Sequence, residues 1–371
     1  MTGKDIAGII YSSNYDSCLT ESTAVRTMGS VPFGGRYRLV DFMLSGMVNC
    51  GISKVGVALG NNYRSLMDHI GTGRPWDLSR KRDGIYLLPP YNFSGVGDYG
   101  SKMGVLKGLL DFLNHTQEEY ILMTDCNAVC NLDVEKLGAF HEAKGADITL
   151  AYAEGALPQL SDVTVLTLDG DSRVTDMEIA PKNADAGAYA VNIMFMKKSL
   201  LLRLIFDASA HGQEDFERDV LMKNLQKLGI YGYKIPGFCR VIDSLQGYYD
   251  INMELLDKDN RDALFTDERP VFTRVRDDMP TVYGIGSDVK NSLIADGCII
   301  DGVVVNSVLF RGVHVAKGAV VENSILMQET FIGEDAAVNC VITDKDVVIR
   351  PKKTISGAEN YPVYIGKGKV I

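Results

Sequence analysis

The chain has 371 residues, too many for one typical domain and enough for about two. It is 46% hydrophobic and 23% charged, as ordinary soluble globular proteins are, and 38 Lys and Arg against 48 Asp and Glu leave a formal charge of −10 at pH 7. That balance argues against a nonspecific nucleic-acid binder or an anionic-membrane binder, while leaving room for a local basic pocket.

No apolar run approaches the roughly 20 residues of a transmembrane helix, and Ile6 to Ile10 is too short for a signal-peptide core. The 7 cysteines, odd in number and scattered from Cys18 to Cys340, read as reduced thiols, so a cytoplasmic setting is expected. Cys126 and Cys130 are close in sequence but have no matching Cys or His pair, and no metal site is expected there.

In chain order, the predicted strands are Ile6 to Ile10, Lys54 to Ala58, Tyr120 to Met123, Ile148 to Ala151, Val163 to Leu168 and Ala188 to Met194. Predicted helices run over Tyr63 to His69, Met103 to Asn114, Val134 to Ala143 and Phe216 to Leu228. Strands alternating with helices imply an α/β domain with a mostly parallel sheet, whose ligands bind beyond the strand carboxyl ends. The turn after Ile10 lies at such an end. Charged, helical residues from Tyr248 to Arg276 read as a connector. From about Asn291 the period changes: Val303, Leu309, Val315, Val321 and Met327 recur every six residues, with Ile342 and Val348 in step after a slip. That repeat signals a parallel β-helix. The expected division is 1–245 for the α/β domain, 246–290 for the connector and 291–371 for the repeats. Hexapeptide repeats also occur in acyltransferases, where a histidine base is common; His314, the sole histidine within the repeat, reads as structural.

The segment from Val31 to Phe42, VPFGGRYRLVDF, resembles glucose-1-phosphate adenylyltransferase (ADP-glucose pyrophosphorylase). Leu44-Ser45, Asn49-Cys50-Gly51-Ile52, Pro75-Trp76-Asp77-Leu78, Leu88-Pro89-Pro90 and the closing repeats extend the likeness over nearly the whole chain. The resemblance implies a Rossmann-like nucleotidyltransferase domain followed by a left-handed β-helix. It also implies, for catalytic members, the joining of ATP and glucose 1-phosphate with Mg²⁺ held by two aspartates.

The family's catalytic pattern is broken in this sequence. Its GGxGxRL phosphate loop follows the first strand; here Ser13, Asn14 and Asp16 replace glycines and Cys18 replaces the arginine. Glycine lets backbone N–H groups approach a phosphate, whereas a carboxylate repels it, and loss of one catalytic donor costs roughly 10²- to 10³-fold in rate. Met28 stands for the family's lysine, although Arg26 is nearby. Asn127 and Val241 fall at the two metal positions, with Asp125 or Asp243 able to substitute only through a shift of register. Ser101 begins the run that aligns with the base pocket, and Ile179 and Ala180 replace the charged residues that grip the sugar phosphate.

The resemblance therefore implies a regulatory, noncatalytic subunit, needing no cofactor itself. Its expected partner is a catalytic subunit that carries Mg²⁺, in a heterotetramer. A self-sufficient nucleotidyltransferase with a rearranged site and a hexapeptide acyltransferase are the alternatives. Arg36 and Arg38 correspond to a basic pair near the family's site for phosphorylated effectors, such as a sugar phosphate, between the two domains; alternatively they pair with Asp41 or another carboxylate. Trp76, the single tryptophan, reads as a packing anchor.

Overall fold

The computed structural model describes residues 1–89, 101–182 and 184–371. Pro90, at the end of one family-like run, lies outside them. The first domain begins with β1 (Ile6–Tyr11), α1 (Thr20–Thr23), β2 (Pro32–Phe33), β3 (Tyr37–Arg38), α2 (Leu39–Asn49), β4 (Lys54–Ala58), α3 (Arg64–Ile70) and β5 (Gly84–Leu88). It continues through α4 (Lys102–Gly108), α5 (Leu110–Asn114), β6 (Tyr120–Asp125), β7 (Ala128–Cys130), α6 (Val134–Lys144), β8 (Ile148–Ala156), β9 (Thr164–Leu168), β10 (Val174–Ile179) and β11 (Ala186–Lys197). Next come α7 (Lys198–Ala210), β12 (Ile230–Lys234), β13 (Cys239–Val241), α8 (Leu245–Glu254) and α9 (Lys258–Leu264). No helix among the described residues is long and apolar enough to cross a membrane.

β1 is buried at every position, because parallel strands on both sides and helical layers on both faces leave it no solvent side. The main sheet runs β10-β9-β11-β6-β1-β4-β5, with β8 on β11 and β12 on β8. β1, β4, β5 and β6 are parallel, while β11 runs antiparallel to β6, β8 and β9. The chain leaves β1 for β4 on one side and later places β6 on the other. A crevice opens at such a switch point, and Tyr11 pairs with Asp125 and with Ala58 at its floor.

Two predicted helices are broken. The stretch Met103 to Asn114 divides at Leu109 into α4 and α5, with Gly104 and Gly108 weakening it as a continuous helix. Phe216–Met222 winds as π-helix and ends before Leu228.

The repeats form three five-stranded parallel sheets, one for each side of a β-helix. Pairing starts at Val282–Tyr283, which lies on Ile299–Ile300, so the first coil occupies the end of the expected connector. Val315 stacks on Ile332 and Ile332 on Ile349, 17 residues apart each time. The inward side chains Val304, Leu309, Val315, Val321, Leu326, Ile332 and Val338 thus follow steps of five and six residues. A strict six-residue reading misplaces several positions. Val303 and Val348 are half-buried beside the inward Val304 and Ile349, while Met327 and Ile342 point out of the coil into the core of the first domain.

That shared core makes the two domains one packed body. Val308, Phe310, Ile325, Met327 and Ile342 join Phe33, Phe42 and Tyr248 in a single apolar cluster. Polar contacts fix its edges: Tyr248 Oη donates to the Pro32 carbonyl at 2.6 Å, and Tyr249 Oη to the Asn323 carbonyl at 2.6 Å. The connector is held as well, with Asn131 Nδ2 donating to the Leu264 and Arg269 carbonyls, both at 2.9 Å. Trp76 is a packing anchor, buried edge-on against His69.

Candidate functional site

The switch-point crevice is a cavity of about 270 Å³ lined by Asn14, Tyr15, Lys102, Asp162, Ile179 and Glu217, with Glu214 and Asp215 at its wall. Its loop uses its own groups rather than presenting them. The Asp16 and Cys18 amides donate to the Ser13 and Tyr15 carbonyls, at 3.2 and 3.1 Å, closing tight turns. Ser13 packs on Gly60, where a Cβ would fall 2.2 Å from its Oγ. Asn14 Nδ2 donates to Asp125 Oδ1 at 2.8 Å. Asp16 does not project toward a ligand: its Oδ1 accepts the Met28 amide at 2.6 Å, and burial pushes its carboxyl up to about 7.

Tyr15 latches the loop across the crevice, a contact without any sequence signal. Its hydroxyl donates to Asp162 Oδ2 at 2.8 Å and accepts from Asn192 Nδ2 at 2.6 Å. Asn192 sits at positive φ, where the register of β11 shifts between Ala190 and Ile193. Cys18 is half-buried, and burial, then Asp162 and Asp243, push its thiol up to about 11, so this position carries no positive charge. Met28 is buried.

The nearby Arg26 is already committed elsewhere. Its Nη2 bonds both oxygens of Asp344 in the β-helix, at 2.8 and 2.9 Å, and both side chains are buried. Ser101 caps α4 by accepting the Gly104 amide at 3.0 Å. The next residue, Lys102, is the cation of the crevice: its Nζ lies 2.5 Å from Glu217 Oε1 and 3.6 Å from Asp125 Oδ2. Burial opposes its charge, but Glu217 and Asp125 more than offset that and raise its pKa. Ile179 and Ala180 close the end of β10 with no charged group, Ala180 donating its amide to Val163.

Asn127 and Val241 do come together, since Val241 pairs with Ala128 and the Ile242 amide donates to the Asn127 carbonyl at 2.8 Å. They do not fit Mg²⁺, which prefers anionic oxygen ligands. Asn127 offers a neutral amide, buried with Oδ1 and Nδ2 unpartnered, and Val241 offers hydrocarbon. Both neighbouring aspartates are already engaged. Asp125 is buried on Asn14 and Lys102, and burial pushes it up to about 7. Asp243 accepts from the Gln159 amide and from Ser244 Oγ. Among the described residues, Asp162, Glu214, Asp215 and Glu217 surround one paired lysine, a lining whose charge opposes that of a polyphosphate.

A second cavity, about 370 Å³, lies between the domains and has the opposite character. Arg36 and Arg38 reach it from the β2–β3 hairpin, whose Gly34 and Gly35 take positive φ and let its backbone approach the β-helix near Leu309. Arg274 and Arg276 arrive from the connector, Arg311 and Lys345 from the β-helix. Carboxylates match this charge only in part: Asp278 lies 3.4 Å from Arg276 Nε and 3.7 Å from Arg311 Nε, and Glu329 lies 3.9 Å from Arg276. Arg36 pairs with Asp296 at 3.0 Å, both half-exposed. The Arg38 guanidinium bonds the carbonyl and hydroxyl of Ser65, at 2.7 and 3.0 Å, rather than Asp41; Asp41 instead accepts the Arg38 backbone amide and holds His69 at 2.6 Å. Burial brings Arg38 down to about 10 and lowers Arg311, whose Nε is buried without a hydrogen bond. Burial, then Arg38 and Arg26, brings Lys345 down to about 7. Desolvated cations this close together favour an anion that neutralises them.

Only Arg36 and Arg38 of this cluster were legible in the sequence. Arg274 and Arg276 alternate along an extended segment, a weak signal for one shared side; Arg311 and Lys345 gave none. His314 lies half-exposed on the β-helix, against Phe331 and 3.8 Å from Asp301, away from both cavities.

A nucleotidyltransferase scaffold with a β-helix packed on it is the class that this fold and crevice define. Residues 19–257 match the nucleotidyl transferase family, and residues 282–360 match the GlmU-like C-terminal hexapeptide family. The chain belongs to the nucleotidyl transferase family, in the group containing glucose-1-phosphate adenylyltransferases and GlgD proteins. It is 35% identical to glycogen biosynthesis protein GlgD of Bacillus subtilis (strain 168), over 100% of this chain and 98% of the relative. It is 37% identical to the GlgD protein of Geobacillus stearothermophilus, over 98% and 96%. A glucose-1-phosphate adenylyltransferase of Clostridium perfringens (strain SM101 / Type A) is 30% identical over 90% of this chain and 87% of its own length.

Proposed function

We propose that this chain acts in glycogen synthesis as a regulatory, noncatalytic subunit of glucose-1-phosphate adenylyltransferase, partnered by a catalytic chain that carries Mg²⁺ and makes ADP-glucose. One contrast carries the reading: the crevice where the family does its chemistry is acidic and latched, with Asn127 and Val241 at the magnesium positions, while the cavity between the domains is a cluster of cations that its carboxylates only partly neutralise. The likeness to GlgD proteins over nearly the full length supports the glycogen role. The surviving function is anion sensing. A phosphorylated effector, such as a sugar phosphate, binds among Arg36, Arg38 and their neighbours. Its position across the two domains lets it bias how they meet a partner in an assembly such as a heterotetramer.

The direct test is turnover. Supplied with ATP, glucose 1-phosphate and Mg²⁺, the purified chain is expected to release no pyrophosphate above background. Sustained, Mg²⁺-dependent release that is lost on Asn127→Ala would support a self-sufficient enzyme with a rearranged site instead. The cavity has its own test, in enzyme mixed with the catalytic chain. Arg36→Ala/Arg38→Ala is expected to weaken activation by a sugar phosphate about tenfold to a hundredfold, with assembly and melting unchanged. Loss of assembly would assign these arginines to bracing the fold.

A further inference from the structure

The interdomain cavity contains one cation with a property the arginines lack. Lys345 sits half-buried on the β-helix beside Asp344, and among the described residues its ammonium has neither a hydrogen bond nor an ion pair. The adjacent carboxylate is not available to it. Asp344 already receives two bonds from Arg26 and one from Tyr364 Oη at 2.9 Å, and its Oδ1 also accepts the Lys345 backbone amide.

The groups facing Lys345 come from every packed element. The first domain presents Arg26, Arg38 and His69, and the β-helix presents Asp344, Asp346 and Lys367. Asp346 is exposed and 3.9 Å from Lys367. His69 is held by Asp41, and burial keeps its pKa below the usual value. Across the cavity, Arg36, Arg274, Arg276 and Arg311 add positive charge, offset in part by Asp296 at 3.0 Å from Arg36, Asp278 at 3.4 Å from Arg276 and 3.7 Å from Arg311, and Glu329 at 3.9 Å from Arg276. An amine in that company sheds its proton readily and regains it when an anion neutralises its neighbours.

We propose that this cavity captures its anion together with a proton taken from solvent, which Lys345 holds, so that occupancy of the site is coupled to pH. The inference rests on the anion-sensing reading above. The step is a balanced protonation: the neutral Lys345 amine, one proton and the anion give an ammonium–anion pair, with no other bond made or broken. The sign follows from linkage. Burial and Arg38 bring Lys345 from 10.5 to about 7, and an anion bound beside it would move it back up. Bound protein therefore holds more protons than free protein near neutrality, and affinity falls as pH rises through that range.

Sulfate is a suitable probe, because its own charge is constant from mildly acidic to mildly alkaline pH. Calorimetric titration of the full chain, in buffers of different ionisation heat, reads affinity and proton uptake together. Binding is expected to weaken by about tenfold from about pH 6 to about pH 8.5, with about half a proton taken up per sulfate near neutrality. Lys345→Arg, permanently charged, should bind with little pH dependence and no uptake. Lys345→Met should bind more weakly at the acidic end and also lose the uptake, while His69→Gln should retain it. Binding that weakens in Arg38→Ala but shows no pH dependence, or uptake that persists in Lys345→Arg, would overturn the proton coupling and leave the anion site standing. Sulfate that fails to bind, or binds equally well to Arg38→Ala, would overturn both.

Discussion

Asp16 illustrates how one side chain changes what a turn can do. Set among backbone amides it would deter a phosphate, but it folds inward and holds the Met28 amide, with burial raising its carboxyl to about 7. A raised folded-state value means the stability it contributes is fully present below the ordinary value of 3.8 and is lost as pH rises through about 7. Asp16→Asn keeps an oxygen for Met28 and removes the buried charge. It is expected to stabilise the chain by about 1–2 kcal/mol at pH 8 and to have little effect near pH 4, as read from denaturant melts at both. Arg26 and Asp344 make a buried pair between the domains. Arg26→Met should cost about 3–5 kcal/mol by stranding the aspartate, and the double variant with Asp344→Leu should recover most of it. The sequence identified Cys18, Met28, Asn127 and Val241 as lacking charge because residue type alone decides that. It could not show where Arg26 or Asp16 points, since their partners are 318 and 12 residues away.

At the scale of elements, the β-helix reports its own frame. Stacked coils of 17 residues require inward side chains at steps of five and six, and Val304 rather than Val303 fills the interior. Val304→Ala is expected to cost about 2 kcal/mol and Val303→Ala less than half of that, measured by thermal unfolding. The repeat was legible because inward apolar residues recur; its frame was not, because a six-residue count slips by one residue in each 17-residue coil. β1, β4 and β6 were legible for a related reason: continuous apolar runs between turns mark strands covered on both faces. α2 escaped although Asp41, Ser45 and Asn49 recur every four residues, because it is buried nearly all round and apolar residues cover the rest of its surface. The basic cavity was half legible, since it is assembled from a hairpin, a connector and two β-helix turns that only tertiary packing brings together.

For the whole molecule, the proposed function divides between two cavities what one catalytic subunit would do. On the regulatory reading, a substrate in the switch-point crevice would meet several obstacles: the Tyr15 latch, Lys102 held by Glu217 and Asp125, the acidic wall, and Asn127 and Val241 at the magnesium positions. Repairing one leaves the others. Cys18→Arg alone is therefore expected to release no measurable pyrophosphate from ATP and glucose 1-phosphate, and a single-site rescue would show that the crevice is open to substrate. On that reading, the core shared by both domains would give an anion in the basic cavity a packed body through which to reach a partner. The most direct test of the regulatory reading is to titrate this chain into a catalytic glucose-1-phosphate adenylyltransferase, following pyrophosphate release and assembly size together, with and without a sugar phosphate. The expected result is a mixed assembly whose activity or effector response exceeds that of the catalytic chain alone; two species that elute separately with unchanged kinetics would contradict it.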